Sequence, residues 1–91
     1  MRSVDVLVSP TCPRVTCPID EIGDTSFVYS SLTAPWDHTG QPVIAVPAGP
    51  AEDGLPASIS FIGRPFGEAL ICGVAHAYEQ ATDWHQRRAP L

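Results

Sequence analysis

Covalent catalysis by a side chain needs a nucleophile, a base and something to hold developing charge. This 91-residue sequence supplies candidates for each without pairing them. Serines stand at 3, 9, 26, 30, 31, 58 and 60, and none lies in the G-x-S-x-G elbow that presents a serine nucleophile. His76 and His85 are nine positions apart on one helical stretch, so they fall on different faces, and exposed or partly packed helix histidines are the plainer reading. Cys12 and Cys17 are five apart, each followed by proline, with no histidine near in sequence. That is not the spacing of a zinc ribbon or a redox pair, and His38, His76 and His85 add no ligand spacing. No metal and no cofactor are expected. Cys72 lies beside an apolar stripe and reads as a small buried hydrophobe. The acidic groups Asp20, Glu21 and Asp24, and Glu52 with Asp53, sit in turn-rich segments, not in the desolvated setting a general acid needs.

Two loop stretches carry more information. Gly63-Arg64-Pro65-Phe66-Gly67 precedes a helix, where backbone donors could face an anion. Pro65 removes one donor and no G-x-G-x-x-G or Walker pattern exists, so a strand-to-helix turn is the better reading. Thr33-Ala34-Pro35-Trp36-Asp37-His38-Thr39-Gly40-Gln41-Pro42 reads as a loop leading into a buried strand. Loops at strand ends commonly line sites. This one is either a pocket wall or a packed loop in which Asp37 bonds its own backbone as an Asx turn.

The elements that must position these residues follow from pattern. Val4–Val8 is β-branched and apolar, reads as a short strand, and Pro10 ends it. Residues 9–35 read mostly as loop, interrupted by Pro10, Pro13, Pro18 and Pro35, with Thr25–Leu32 a short helix or ordered turn. Val43–Val46 is a continuous apolar run between prolines, the pattern of a strand buried on both faces. Asp53-Gly54 is a turn signal, and Ala57–Ile62 alternates small or polar with apolar, so the two strands should form an antiparallel hairpin. Glu68–Arg88 reads as one helix. Its stripe is Leu70, Val74, Tyr78, Ala81 and Trp84, with Ile71 and Ala77 at the edge. Gly73 inside it weakens the helix, often because something packs close. One helix covers one face of a sheet, while Val43–Val46 asks for cover on both. The chain is therefore expected to be incomplete, or to pair.

Composition narrows the function classes. Five Lys+Arg against ten Asp+Glu give a formal charge of −5, and all five cations are arginines. An acidic chain with scattered arginines is a poor candidate for nucleic acid or an anionic membrane surface. No apolar run approaches the roughly 20 residues of a membrane-spanning helix, and residues 1–5 lack a signal-peptide pattern. A soluble, cytoplasmic chain is expected, consistent with an odd number of cysteines. Its length allows one domain at most. No mechanism can use a lysine of this chain.

In order along the chain, the residues resemble the closing blocks of amidase-signature enzymes. Asp5-Val6-Leu7-Val8-Ser9-Pro10-Thr11 looks like their strand ending in "PT". Leu32–Gly49 is similar to their "FTxPxNxxGxPaxsvPxG" block. Asp53-Gly54-Leu55-Pro56 followed by Ile62-Gly63-Arg64-Pro65-Phe66 resembles "DGLPxGLQxxGRPF", and Glu68–Thr82 resembles the closing helix. The resemblance implies an α/β fold, in which residues 1–91 form the C-terminal fragment of an α/β/α sandwich with a mixed sheet. It implies amide C–N hydrolysis, or transfer of the ammonia released, by a serine activated through a second serine and a lysine. Both serines and the lysine would lie upstream. By the same resemblance Ser30, Trp36 and Asp37 border the substrate pocket, with recognition as their role. The small amide substrate would bind only once an N-terminal part completes the domain. Pairing with such a part, or self-association, is the partner expectation.

The chain departs from that pattern at five positions. Ser58 and Ser60 replace Gly and Gln, Asp37 stands where Asn is common, and Gly67 replaces a helix-capping Asp. Ser30 replaces the acidic residue of glutamine-using relatives, which weighs against a glutamine donor. Two rival readings remain. One is a stand-alone α/β interaction module without catalysis, and the other an acyl-transfer enzyme using Cys12 or Cys17.

Overall fold

A computed structural model of the chain describes residues 3–14, 16–21, 23, 28, 30–52 and 54–89. Most of the Thr25–Leu32 stretch, expected as a short helix or ordered turn, lies outside them. The sheet grows from one turn. β2 (Val43–Pro50) and β3 (Pro56–Ile62) run antiparallel, as the sequence leads one to expect. Between them Gly54 takes φ 82°, a left-handed conformation that glycine adopts without penalty. Its N–H donates to Ala51 O at 2.9 Å, and Ala51 N–H donates to Leu55 O at 2.8 Å. Asp53, the other half of the turn signal, lies outside the described residues. β2 also runs past Pro47, the proline that ends the apolar run in sequence. The register slips between Pro47 and Gly49, and a bulge on an edge strand is where a sheet tolerates a residue without an N–H.

β1 (Leu7–Pro10) pairs with the other edge of β3, giving the order β1-β3-β2. The strand expected at Val4–Val8 is thus displaced toward Pro10. Leu7 is opposite Ile62, the last residue of β3, so residues before Leu7 have no strand to pair with. The Arg64 guanidinium engages them instead, donating to Val4 O at 2.8 Å and pairing with Asp5 at 3.1 Å.

Residues directly opposite in register share a face. Val8, Phe61 and Ile44 lie on one side with Ile59 and Val46. The final helix (Glu68–Ala81) covers that side, and Val46, Phe61 and Ala75 form the core with Val6, Ile44, Ile59, Val74 and Tyr78 packed around it. The Phe61 and Tyr78 rings meet edge-to-face, centroids 5.8 Å apart. On the opposite side Ile62 and Ser60 are buried at the central strand, but Val43 and Ala45 are exposed. The expectation that Val43–Val46 is buried on both faces is therefore corrected. β2 is an edge strand here, and burial alternates along it.

That helix also differs from its sequence reading. It ends at Ala81, because Thr82 turns extended (φ −136°, ψ 169°) while its hydroxyl donates to Tyr78 O at 3.1 Å. Trp84–Gln86 then form a short 3-10 turn that carries Trp84 onto the hairpin. A Cβ on Gly49 would stand 3.1 Å from the Trp84 ring, and Gly49 has φ 99°. The break therefore delivers the indole to a close backbone approach that a longer helix would miss. The buried stripe is Ile71 and Ala75, flanked by Val74 and Tyr78. Leu70 is 49% exposed, and Ala77, Ala81 and Cys72 are exposed. Cys72 is not the buried hydrophobe expected, and nothing stands within 4 Å of where a Gly73 Cβ would be.

The result is a slab of 41 × 32 × 19 Å, with the final helix on one side of its sheet. A compact chain of 9.7 kDa exposes about 5,100 Å², and this one exposes 6588 Å². Its radius of gyration is 14.5 Å, against about 12 Å for a compact domain of this length.

Candidate functional site

The Thr33–Pro42 stretch is a helix where the sequence suggests a loop. α1 spans Ala34–Thr39, with Pro35 in its first turn and Gly40 (φ 73°) closing it; the final helix, Glu68–Ala81, is α2. A first-turn proline loses nothing, since its N–H would have no intrahelical partner, and a left-handed glycine is a common helix stop. Gly40 N–H donates to Trp36 O at 3.0 Å. Upstream, Ser30 O accepts from the backbone N–H of Thr33 (3.1 Å) and Ala34 (2.9 Å) and from the Thr33 hydroxyl (3.1 Å). That carbonyl ties the preceding turn to the start of α1.

Trp36 is half-buried, and its indole Nε1–H donates to Leu32 O at 2.9 Å. This fixes the ring against the turn and leaves part of it accessible. Asp37 is exposed on α1, a helical setting that replaces the Asx turn considered from sequence. Ser30 is exposed in the turn. The structure thus joins Ser30 and Trp36 in one hydrogen-bonded unit and places Asp37 beside them in solvent. Gln41 couples the unit to the sheet end by donating from Nε2 to Gly63 O at 2.9 Å, a link not visible in sequence. A flat aromatic face, a carboxylate and a hydroxyl suit recognition of a small polar molecule. They contain no base beside a nucleophile.

The other candidates are dispersed. The Ser60 hydroxyl is buried and shares a 2.8 Å hydrogen bond with the Thr11 hydroxyl. None of Cys12, Cys17 and Cys72 is in a disulfide, and Cys12 and Cys17 are partly buried. The His85 Nδ1 is buried in the 3-10 turn with no hydrogen-bond partner among the described residues. Among those residues no three His, Cys, Asp or Glu side chains stand together as a metal site, and no helix is long and apolar enough to cross a membrane. Gly63–Gly67 is the strand-to-helix turn expected. Gly67 N–H donates to Arg64 O at 2.8 Å, and a Cβ on Gly67 would stand 2.9 Å from that oxygen. The tight turn explains why a glycine occupies the capping position.

A groove of about 400 Å³ lies at the far end of β2, between the hairpin and Trp84. Pro47, Gly49, Pro50, Leu55 and Trp84 line it, and Arg87 stacks on the indole 4.2 Å from the ring centroid. None of Ser30, Trp36 or Asp37 belongs to it.

Comparison with known proteins places the chain in one family. The amidase family model matches residues 1–72. A glutamyl-tRNA(Gln) amidotransferase subunit from Chloroflexus aggregans is 45% identical, over 99% of this chain and 19% of its own. Its counterpart from Geotalea daltonii is 46% identical over the same shares. That of Bacillus cytotoxicus is 41% identical over 96% of this chain and 19% of its own. The chain spans about a fifth of the length of the curated relatives it matches.

Proposed function

This chain belongs to the amidase family, and we propose that it is the C-terminal portion of an enzyme that cleaves a carbon–nitrogen amide bond. It contributes a hairpin, a closing helix and part of the pocket wall. The observation that carries the reading is that a chain matching about a fifth of its relatives' length contains no lysine. By resemblance, the family's base is a lysine and its serines lie in an upstream signature. The excess exposed surface and the uncovered side of β2 support the same reading. Ser30, Trp36 and Asp37 are the residues assigned to the pocket wall, where they orient the amide and break no bond. Three cysteines outside any disulfide fit a reducing compartment, so we place the chain in the cytoplasm.

The test is amide hydrolysis. The purified 91-residue chain, given simple aliphatic amides and glutamine, releases no ammonia. Coexpressed with the remainder of an amidase-family polypeptide, it restores turnover. Turnover by the chain alone, abolished by Ser58→Ala or Ser60→Ala, overturns the proposal.

A further inference from the structure

We infer that the outward face of α2 is the seat of the missing portion of the amidase domain, with Gly73 at the point of closest approach. The inference rests on the fragment reading above and names the surface through which the fragment is completed. The exposed positions of the helix include Ala69, Leu70, Gly73, Ala77 and Ala81. The helix's charges are Glu68, exposed in the first turn, and Glu79, partly exposed beside Gln80, while His76 and Gln80 are the exposed neutral polar residues among them. A helix that is apolar on its core side and nearly free of charge on the other has the pattern of one covered on both sides. Leu70 is 49% exposed, and Phe66 at the head of the helix is 95% exposed. Phe66 also holds φ 64°, a conformation that is rare for a bulky residue. With its ring in solvent, the lone chain gives that conformation no packing in return.

Gly73 sharpens the location. The close glycines of this fold are explained by what a side chain would strike: Ile71 at 2.7 Å from Gly63, Arg64 O at 2.9 Å from Gly67, Trp84 at 3.1 Å from Gly49. Gly73 has nothing within 4 Å, yet it occupies the middle of a helix, where glycine is unfavourable. A neighbour from outside the chain accounts for it, because small residues let a second backbone come near. The occupant is the stretch of amidase-family polypeptide that the relatives possess beyond the matched fifth of their length.

The test coexpresses the 91-residue chain with the unmatched portion of the Chloroflexus aggregans relative. Cys72 lies on this helix, exposed and free, and reports directly. Its maleimide labelling is expected to slow at least tenfold in the complex relative to the lone chain. Gly73→Leu and Leu70→Glu are expected to weaken the complex at least tenfold while leaving the lone chain's circular dichroism unchanged. If a complex forms but Cys72 labels freely and both variants bind normally, the inference about α2 is overturned and the fragment reading stands. If no complex forms, the fragment reading falls and takes the inference with it. If the lone chain dimerises with Cys72 protected, the occupant is a second copy and the inference about the missing portion is overturned.

Discussion

Single residues set how firmly the candidate pocket wall is held. Trp36→Phe keeps an aromatic ring, though a smaller one, and deletes the bond from Nε1 to Leu32 O. A net loss of about 1 kcal/mol is expected for one neutral hydrogen bond, read as a lowered thermal midpoint by far-UV circular dichroism. Asp37→Asn removes an exposed charge and should leave the stability within about 0.5 kcal/mol. In the completed enzyme the same substitution should change KM more than kcat, and an unchanged KM removes Asp37 from the pocket wall. Arg64 and Asp5 form an exposed pair, which stabilises by about 0–1 kcal/mol and weakens with salt. Arg64→Ala also loses the bond to Val4 O, so its effect should exceed that of Asp5→Ala. Residues 33–42 are the most informative stretch of the sequence, yet they do not read there as a helix. Six residues are too few for an apolar period to register. The usable signals are Pro35 at the start and Gly40 at the end, both plain in the sequence itself.

At the scale of elements, close approaches decide the outcome. A Cβ on Gly63 would lie 2.7 Å from the Ile71 side chain. Gly63→Ala should therefore destabilise by about 1–3 kcal/mol, as overpacking does. Gly73→Ala has the opposite sign. With open space around it in the lone chain, it should stabilise by about 0.5–1 kcal/mol through helix propensity. A fall in the midpoint means that something within this chain already packs there. The hairpin and the existence of the last helix are legible in sequence because glycine turns, strand alternation and helical spacing are local signals. The end of that helix is not. Trp84 continues a helical spacing in sequence, and only the hairpin bulge, brought near by pairing of β2 with β3, gives its ring a better place. The rotation of the stripe from Leu70 to Ile71 is hidden for a related reason. A helix with apolar residues on every side does not announce which side meets the sheet.

At the scale of the whole molecule, the chain is thin and over-exposed for its mass. Among the described residues, the buried hydrophobic ones number five: Val46, Phe61, Ile62, Ile71 and Ala75. The purified chain should bind a hydrophobic dye more strongly than a compact domain of equal size, and coexpression with its complement should suppress the signal. A monomer with a sharp unfolding transition and no dye binding favours a self-standing module instead. The order β1-β3-β2 adds a consequence for backbone protons. β3 is flanked on both sides, whereas among the described residues β1 and β2 each have a strand on one side alone. In a slab 19 Å thick, the amides can reach solvent by fraying from the rims without global unfolding. Deuterium should therefore enter the lone chain from the two rims inward, with the amides of β3 the last to exchange.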